Sequence, residues 1–353
     1  MDYEVEFLPV GDSNGDAICL RYGTKDSFWV HVVDGGFTDT AETVLDHIRD
    51  HYGKHVHINN MVLSHADNDH ACGLVGVLKE MDVQTLWMNR PWLYASQIID
   101  SFHGNWTLAG LIKEIKDSHP YLVELEEIAN SRGIPINSVF QGHQIGQFYV
   151  LAPSEARYVK LLPDLGKTPQ SYADKKGVIG SIWEGAKGVI DKIREAVDIE
   201  TLDENPPATS ASNETSLVQM GVFGEQRVLL TADVGPEGLR EAVEYAKRAG
   251  LYAQPTFVQV PHHGSRRNVT PSVLNEWLGQ PLPDLNTKRG VAFCSIGKDA
   301  DIYPRKKVKN AFMRRGYPVH ATRGWTKRHH RGWGERDGWV SSTPEPFSPD
   351  VED

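Results

Sequence analysis

The sequence predicts a layered α/β protein in which two sheets pack between helices. Strand-like runs of β-branched or alternating apolar residues recur along its 353 residues, and each run is bounded by Gly, Pro, Asp or Asn. The early runs follow one another closely, as hairpins do, whereas the later runs alternate with helical patterns. Such an order, strands first and then strand–helix alternation, is typical of layered sheets covered by helices.

Nine strands are predicted, at residues 4–10, 17–22, 28–33, 61–64, 146–152, 216–223, 227–232, 255–260 and 291–296. Five helices are predicted from apolar residues at helical spacing, at residues 38–51, 72–81, 236–249, 271–278 and 305–315. The third helix has Pro236 at its start and Gly250 just after its end, which are the residues preferred at those positions.

Two stretches interrupt this rhythm, residues 91–145 and 154–205, which are longer, more polar and more helical. We interpret them as insertions into one catalytic domain, residues 1–336, and expect them to be able to contact a protein partner. Residues 201–210 predict a loop. The tail, residues 337–353, is predicted to be poorly ordered.

Composition places the chain among ordinary globular proteins, with 40% hydrophobic and 24% charged residues. No stretch approaches the roughly 18 apolar residues of a membrane helix. The acidic N-terminus does not resemble a signal peptide. The three cysteines lie far apart, at 19, 72 and 294, which argues against a disulfide framework. We therefore expect a cytoplasmic protein without a membrane partner.

Residues 64–74, SHADNDHACGL, place four ligand-type side chains within six positions after an apolar strand: His65, Asp67, Asp69 and His70. Residues two apart at the end of a strand face the same way, so His65 and Asp67 are placed to bind the same cation. Asp69 and His70 follow as the next pair. Two-metal hydrolytic sites need ions roughly 3.5–4 Å apart, and imidazole and carboxylate are suitable ligands for them.

Two remote stretches supply further candidates. The strand LLTAD ends in Asp233, at the end where α/β sheets place their sites, although such an Asp often caps the next helix instead. The strand before VPHHGS ends in His262 and His263, followed by Gly264, which allows close backbone approach. One of the two histidines is expected to bind metal, with a slight preference for His262.

Taken together, these stretches resemble the metallo-β-lactamase-fold superfamily, with SHADNDHACGL as a variant of its HxHxDH signature. Asp67 stands where the second histidine is expected, a variant similar to the metallo-β-lactamase-like domain of ComEC-type competence proteins. VGDSNGDAICLRY, VVDGG, NETSLV, LLTAD and VPHHGS match in the same order. The resemblance implies a four-layer αββα sandwich with helical insertions.

The resemblance also implies roles. His65 and Asp67 would hold metal one; Asp69, His70 and His262 or His263 would hold metal two; and Asp233 would bridge both. Asp69 and Asp233 would be the catalytic carboxylates. Supporting positions around the metals would fall to Asp16, Asp34 and Asn213.

Two departures from the family pattern leave questions open. No motif supplies the further histidine expected on metal one, since His103, His119 and His143 lie in the predicted insertions. The family's His-Pro reads Tyr303-Pro304 here. Tyr303, Lys306 and Lys307 are therefore only candidate substrate-binding residues, which orient a leaving group or hold a phosphate.

The net charge of −10 conceals an asymmetry, because residues 303–336 carry eleven Lys and Arg against one acid, Glu335. Such a segment either attracts a phosphate-rich partner or balances an acidic body. Trp325 and Trp333 within it either stack on bases or pack internally.

Two ions, Zn²⁺ or Mn²⁺, would lower the pKa of a shared water toward about 7 and supply hydroxide for hydrolysis. We expect a nuclease or other phosphodiesterase acting on DNA or RNA. The alternatives are a hydrolase of a small ester, such as a lactone, a phosphocholine ester or a cyclic nucleotide, and a non-catalytic metal-binding protein that recognises a partner.

Overall fold

The strands and helices predicted from the sequence are present in a computed structural model that describes residues 1–166 and 192–352. Sixteen strands lie in the described residues: β1 Asp2–Phe7, β2 Ala17–Gly23, β3 Phe28–Gly35, β4 Asn60–Val62, β5 Leu86–Trp87, β6 Ile136–Asn137, β7 Gln144–Ile145, β8 Phe148–Ala152, β9 Lys192–Arg194, β10 Val218–Phe223, β11 Gln226–Leu230, β12 Phe257–Gln259, β13 Val291–Cys294, β14 Val319–Ala321, β15 Lys327–Arg331 and β16 Asp350–Glu352.

Ten α-helices accompany them in the same described residues: α1 Thr40–His51, α2 Asn68–Glu80, α3 Ala95–Ile98, α4 Leu108–Ser118, α5 Pro120–Ser131, α6 Glu155–Leu161, α7 Ala211–Glu214, α8 Pro236–Arg248, α9 Pro271–Leu278 and α10 Lys306–Arg314. Short 3₁₀ turns occupy Pro91–Tyr94, Ile99–Ser101, Leu162–Asp164 and Pro261–Gly264. None of the described helices combines the length and apolarity that a bilayer crossing requires.

Two seven-stranded sheets form the centre of the fold. The first has the order β15-β1-β2-β3-β4-β5-β6, and the second has the order β14-β13-β12-β11-β10-β8-β7. Strands β11 to β14 are parallel neighbours, so their carboxyl ends all lie at the same end of the second sheet. Strands β3 and β4 are also parallel, which brings Asp34 and the residues after β4 to one edge of the first sheet.

Alternation along the strands explains the layers. Tyr3, Val5 and Phe7 of β1 join Phe257 and Phe293 of the second sheet in a core between the sheets. A second core lies between the first sheet and the helices α1, α2, α4 and α5. A third lies between the second sheet and α8, α9 and α10. The predicted α/β class with αββα layers is therefore confirmed.

Two predictions about element bounds change. Helix α2 begins at Asn68 rather than at residue 72, so Asp69 and His70 lie in its first turn. The prediction of a poorly ordered tail is wrong, because β16 pairs with β9 and Val351 is buried. Apolar burial of that one side chain and the ladder of β9 fix the tail, although its composition is polar.

The predicted insertions also take part in the sheets. The stretch 91–145 contains α3 to α5 and supplies β6 to the edge of the first sheet and β7 to the edge of the second. Within the second stretch, α6 and β9 are ordinary elements, and residues 167–191 lie outside the described residues. The predicted loop 201–210 contains no regular element.

Candidate metal centre

The histidine-rich motif lies where β4 ends and α2 begins. Asp67 occupies the N-cap with extended backbone angles, φ −77° and ψ 149°, and the helix then turns His70 fully into the interior. Asp69 stands in the first turn, where the positive end of the helix dipole stabilises a carboxylate. The strand-to-helix switch therefore directs consecutive ligand-type side chains into one space.

Four side chains converge there, from α2 and from the ends of β11 and β12: Asp69, His70, Asp233 and His263. One ligand atom of each lies within 4.8 Å of all the others. Asp233 Oδ2 is 3.5 Å from His70 Nε2 and 3.7 Å from His263 Nε2. Tetrahedral ligands with bonds of about 2.0–2.1 Å stand roughly 3.4 Å apart, so these separations suit atoms that share one cation.

Asp34 fixes the orientation of His70 and, through Ser64, of His65. His70 Nδ1 donates to Asp34 Oδ2 at 2.8 Å. Ser64 Oγ donates to the same oxygen at 2.6 Å, so it accepts from His65 Nδ1 at 3.0 Å. Because both Nδ1 atoms carry the proton in the neutral rings, both Nε2 atoms present lone pairs.

His262 and His263 are fixed in the same way. His263 Nδ1 donates to Ser295 O at 2.8 Å. Asn268 donates through Nδ2 to Asp233 O at 2.8 Å, which leaves its Oδ1 to accept from His262 Nδ1 at 2.9 Å. Four imidazoles thus direct Nε2 lone pairs at the site, as metal-ligating histidines with outer partners do.

The unpartnered atoms test whether these residues fit a cation. Within the described residues, the buried Nε2 atoms of His65, His70 and His263 and the Oδ1 atom of Asp233 have no hydrogen-bond partner. In folded proteins most buried polar atoms have a hydrogen-bond partner, because leaving one unsatisfied costs about 1–3 kcal/mol. Two divalent cations that share Asp233 would satisfy all four atoms, so the donor set fits the metals that the sequence predicts.

Electrostatics point the same way. Burial raises the pKa of Asp233, but His262, His263 and His70 outweigh burial and hold that pKa well below its usual range. Burial lowers the pKa of His263, yet Asp233 and Asp69 raise it overall to about 9. The carboxylates therefore favour protonated imidazoles, and a cation held by these residues would take the place of those protons.

The second half of the centre is more open. His65 Nε2 is 3.5 Å from Asp67 Oδ2, and Ser212 Oγ donates to Asp67 Oδ1 at 2.7 Å. His262 Nε2 lies 3.5 Å from Asp233 Oδ2, and about a third of its side chain is exposed. His263 belongs to the four-residue cluster and His262 does not, which argues for His263 as the ligand of metal two.

Backbone conformations around the centre are unusual. Asp34, Ala232, His262 and His263 all have positive φ, between 44° and 58°. Each such non-glycine residue costs about 1–2 kcal/mol, and this kind of strain concentrates at functional sites. All four lie at or just after the carboxyl ends of strands, where the turns aim side chains into the gap between the sheets.

The predicted supporting residues lie behind the ligands. Asp16 is buried beside His70 and accepts from Gln259 Nε2 at 2.8 Å. Burial raises the pKa of Asp16 to about 6, although His70 opposes the shift. Asn213 Nδ2 lies 3.1 Å from His262 Nδ1 and donates to Thr209 Oγ1.

The loop with the predicted substrate-binding residues lies against the His262–His263 turn. Arg305 N donates to Gly264 O at 3.0 Å. Gly264 has φ +83°, and a Cβ on it would stand 2.4 Å from Pro304 Cβ, so only glycine permits this approach. The loop brings Tyr303 and the start of α10 to the edge of the centre; Lys306 is exposed there and Lys307 is mostly buried.

Other histidines serve local structure. His119 Nδ1 donates to Ile115 O at the end of α4, and His143 Nδ1 accepts from Phe140 N at 3.3 Å. The described residues therefore give neither of them a contact to the cluster, and the further ligand of metal one stays open.

Sequence reasoning missed Asn268, Ser64, Gln259 and Ser212, which hold the ligands rather than bind metal. Ser64 directly precedes His65, and Asn268 lies six residues after His262. Proximity in the chain was the only available signal, because an asparagine or serine in a turn has many other reasons to be there.

Most cations of the basic segment are internal. Within the residues that the structure describes, six of its eleven Lys and Arg form ion pairs: Arg328 and Arg336 with Glu4, Arg336 also with Glu6, Arg314 with Glu195, Arg315 with Glu200, and both Lys309 and Arg323 with Glu345. These six positive charges are therefore neutralised by carboxylates within the fold.

Solved metallo-β-lactamase-fold proteins are similar to the chain. YhfI from Bacillus subtilis is 10% identical over 93% of this chain and 100% of its own, with a TM-score of 0.39. The metallo-β-lactamase SMB-1 is 11% identical over 78% and 86%, with a TM-score of 0.32. The dizinc quorum-quenching lactonase AidC is 13% identical over 66% and 67%, with a TM-score of 0.31. No protein-family model and no curated protein matches the sequence.

Proposed function

We propose that the protein is a metal-dependent phosphodiesterase that hydrolyses DNA or RNA. The observation that carries the proposal is the position of the basic start of α10 beside a cluster of metal-ligand side chains. Arg305 N donates to the carbonyl of Gly264, which directly follows the cluster residue His263. The start of α10 offers backbone N–H groups, a positive dipole and the exposed side chain of Lys306 to a phosphate.

The ligand set divides between two ions. Asp69, His70, Asp233 and His263 would hold one, and His65 and Asp67 with Asp233 would hold the other. Two divalent cations, Zn²⁺ or Mn²⁺, would supply hydroxide at neutral pH and stabilise the charge that develops on a phosphate.

The chain's own residues do the positioning. Asp34 and Ser64 hold His70 and His65 in the tautomer with a free Nε2. Asn268 does the same for His262. Because these partners are buried, the ligands are preorganised, and little side-chain reorganisation accompanies substrate binding.

The first test is hydrolysis by the purified full chain. With Mn²⁺ or Zn²⁺, we expect cleavage of single- or double-stranded DNA or RNA and its loss in Asp69→Ala. Asp46→Ala is the matched control, because Asp46 is an exposed carboxylate on α1. Nucleic acids left intact by the metal-loaded wild type, or cleaved equally by Asp69→Ala, would refute the proposal.

Two further measurements separate the alternatives. A panel of lactones, phosphocholine esters and cyclic nucleotides identifies a small-ester hydrolase if it is turned over while nucleic acids are not. Elemental analysis of the same sample should give about two divalent ions per chain. Fewer than one ion per chain, with no turnover, would favour a non-catalytic protein whose insertions recognise a partner.

A further inference from the structure

The two tryptophans of the basic segment have different environments. Trp333 is 7% exposed; its ring meets Phe28 edge-on at 5.6 Å and carries the Arg21 guanidinium at 3.9 Å. Trp325 is 75% exposed. Trp333 is therefore a packing residue, whereas the indole of Trp325 remains in solvent, where a large apolar ring gains free energy from a partner.

Trp325 lies on the same sheet edge as the metal centre. The backbone N–H of Trp325 donates to Thr322 O at 2.9 Å, and Thr322 Oγ1 donates to Ile296 O at 2.7 Å. The neighbouring Ser295 O accepts from His263 Nδ1. Since β13 lies between β12 and β14 and neighbouring strands are about 4.8 Å apart, the carboxyl ends of β12 and β14, which lead into the turns with His263 and Trp325, stand about 10 Å apart.

The rim between them has both apolar and charged side chains. Ile302 is 49% exposed, and Lys298 and Lys306 are exposed. The Lys298 side chain passes 3.4 Å from the position that a Cβ on Gly324 would take, so it lies beside the Trp325 turn. The exposed Asp299 and Asp301 oppose these lysines, so charge alone gives this rim little affinity for an anion.

We propose that Trp325 is a stacking platform for an unpaired base of a single-stranded nucleic acid whose backbone runs to the metal centre. The inference rests on the proposed function and narrows its substrate to single strands. Bases inside a duplex have both faces covered, whereas a strand without a partner offers a free face to an aromatic ring. A separation of about 10 Å is within reach of a strand only a few nucleotides long, since even the compact duplex spacing is about 3.4 Å per nucleotide along each strand.

The test measures binding rather than turnover. Fluorescence anisotropy with a labelled 12-nucleotide strand is recorded for the full chain with Mn²⁺ and again with EDTA, and a blunt duplex of the same sequence is the second probe. Trp325→Ala should weaken single-strand binding about 5- to 150-fold, the range that loss of one base–aromatic stack produces. Trp325→Phe should restore most of it.

Trp29→Ala is the matched control. Trp29 is 47% exposed near the start of β3, at the end of that strand opposite Asp34, and should leave binding unchanged. Equal binding by Trp325→Ala and wild type, an equal loss on the duplex, or an equal effect of Trp29→Ala would overturn the inference. Binding that depends on Trp325 without any hydrolysis would support the platform and refute only the proposed activity.

Discussion

Asn268 offers the sharpest test of the candidate metal centre, because its one buried amide holds both Asp233, a member of the four-residue cluster, and the neighbouring His262. Its Oδ1 accepts from His262 Nδ1 at 2.9 Å, and its Nδ2 donates to Asp233 O at 2.8 Å and to Val234 O at 3.2 Å. Asn268→Leu keeps a similar volume and removes these three bonds and a fourth, from Nδ2 to Thr209 Oγ1 at 3.3 Å. The His262 ring then loses the acceptor that fixes its tautomer.

The magnitude follows from those bonds. Loss of an outer partner typically lowers metal affinity 10–100-fold, equivalent to about 1.4–2.7 kcal/mol. Two carbonyls also lose a donor, at about 1–3 kcal/mol for each group left unsatisfied. We therefore expect Asn268→Leu to bind zinc 10–100-fold more weakly and to unfold at a lower temperature.

Competition against a chromophoric chelator measures the affinity, and near-ultraviolet circular dichroism shows whether the variant is folded. Asn268→Asp retains an acceptor for His262 and loses the donor bonds, so its zinc affinity should stay closer to that of the wild type. Asn286→Leu, in an exposed turn, is the matched control. A folded Asn268→Leu protein with wild-type zinc affinity would refute the reasoning.

Two further predictions concern stability. Burial lowers the pKa of His31 to about 3, so at pH 5 the unfolded chain takes up a proton that the folded chain does not, and stability falls as pH falls below about 6.5. Between pH 7.5 and pH 5, the free energy of unfolding of His31→Leu, measured with urea, should therefore fall by about 2 kcal/mol less than that of the wild type. An unchanged pH dependence would contradict this. Arg314→Met removes the partner of Glu195 in a buried ion pair at 2.9 Å and should lower the free energy of unfolding by about 3–5 kcal/mol. The control Arg331→Met, at an exposed position, should lower it by less than about 0.5 kcal/mol. Equal effects of the two substitutions would contradict the pairing.

Local patterns predicted those parts of the fold that depend on neighbouring residues. The strand before SHADNDHACGL and the helix after it follow from an apolar run and a helical period, and the structure brings Asp69, His70, Asp233 and His263 together. Helix α2 was predicted to start too late, because polar ligand residues in its first turn hide the apolar period.

The ion pairs between residues that lie far apart in the sequence could not be predicted. The strand β15, KRHHR, has no strand-like composition, yet it pairs with β1. Glu4 and Glu6 of β1 are both fully buried. Arg328 and Arg336, more than 320 residues away in the sequence, neutralise them. A buried carboxylate requires such a partner, but no pattern around Glu4 identifies which cation provides it.

The same ion pairs set how steeply nucleic acid binding should depend on salt. For single strands the slope of log K against log salt is about −0.7 per phosphate contact, so eleven engaged cations would give about −8. Among the described residues, six of the eleven are paired with carboxylates, which leaves at most five cations of this segment and a contribution from it no steeper than about −3.5. Anisotropy titrations from 50 to 300 mM KCl measure this slope. A value near −8 would mean that the internal ion pairs open on binding, and a shallow slope combined with a strong effect of Trp325→Ala would place most of the affinity in stacking rather than in charge.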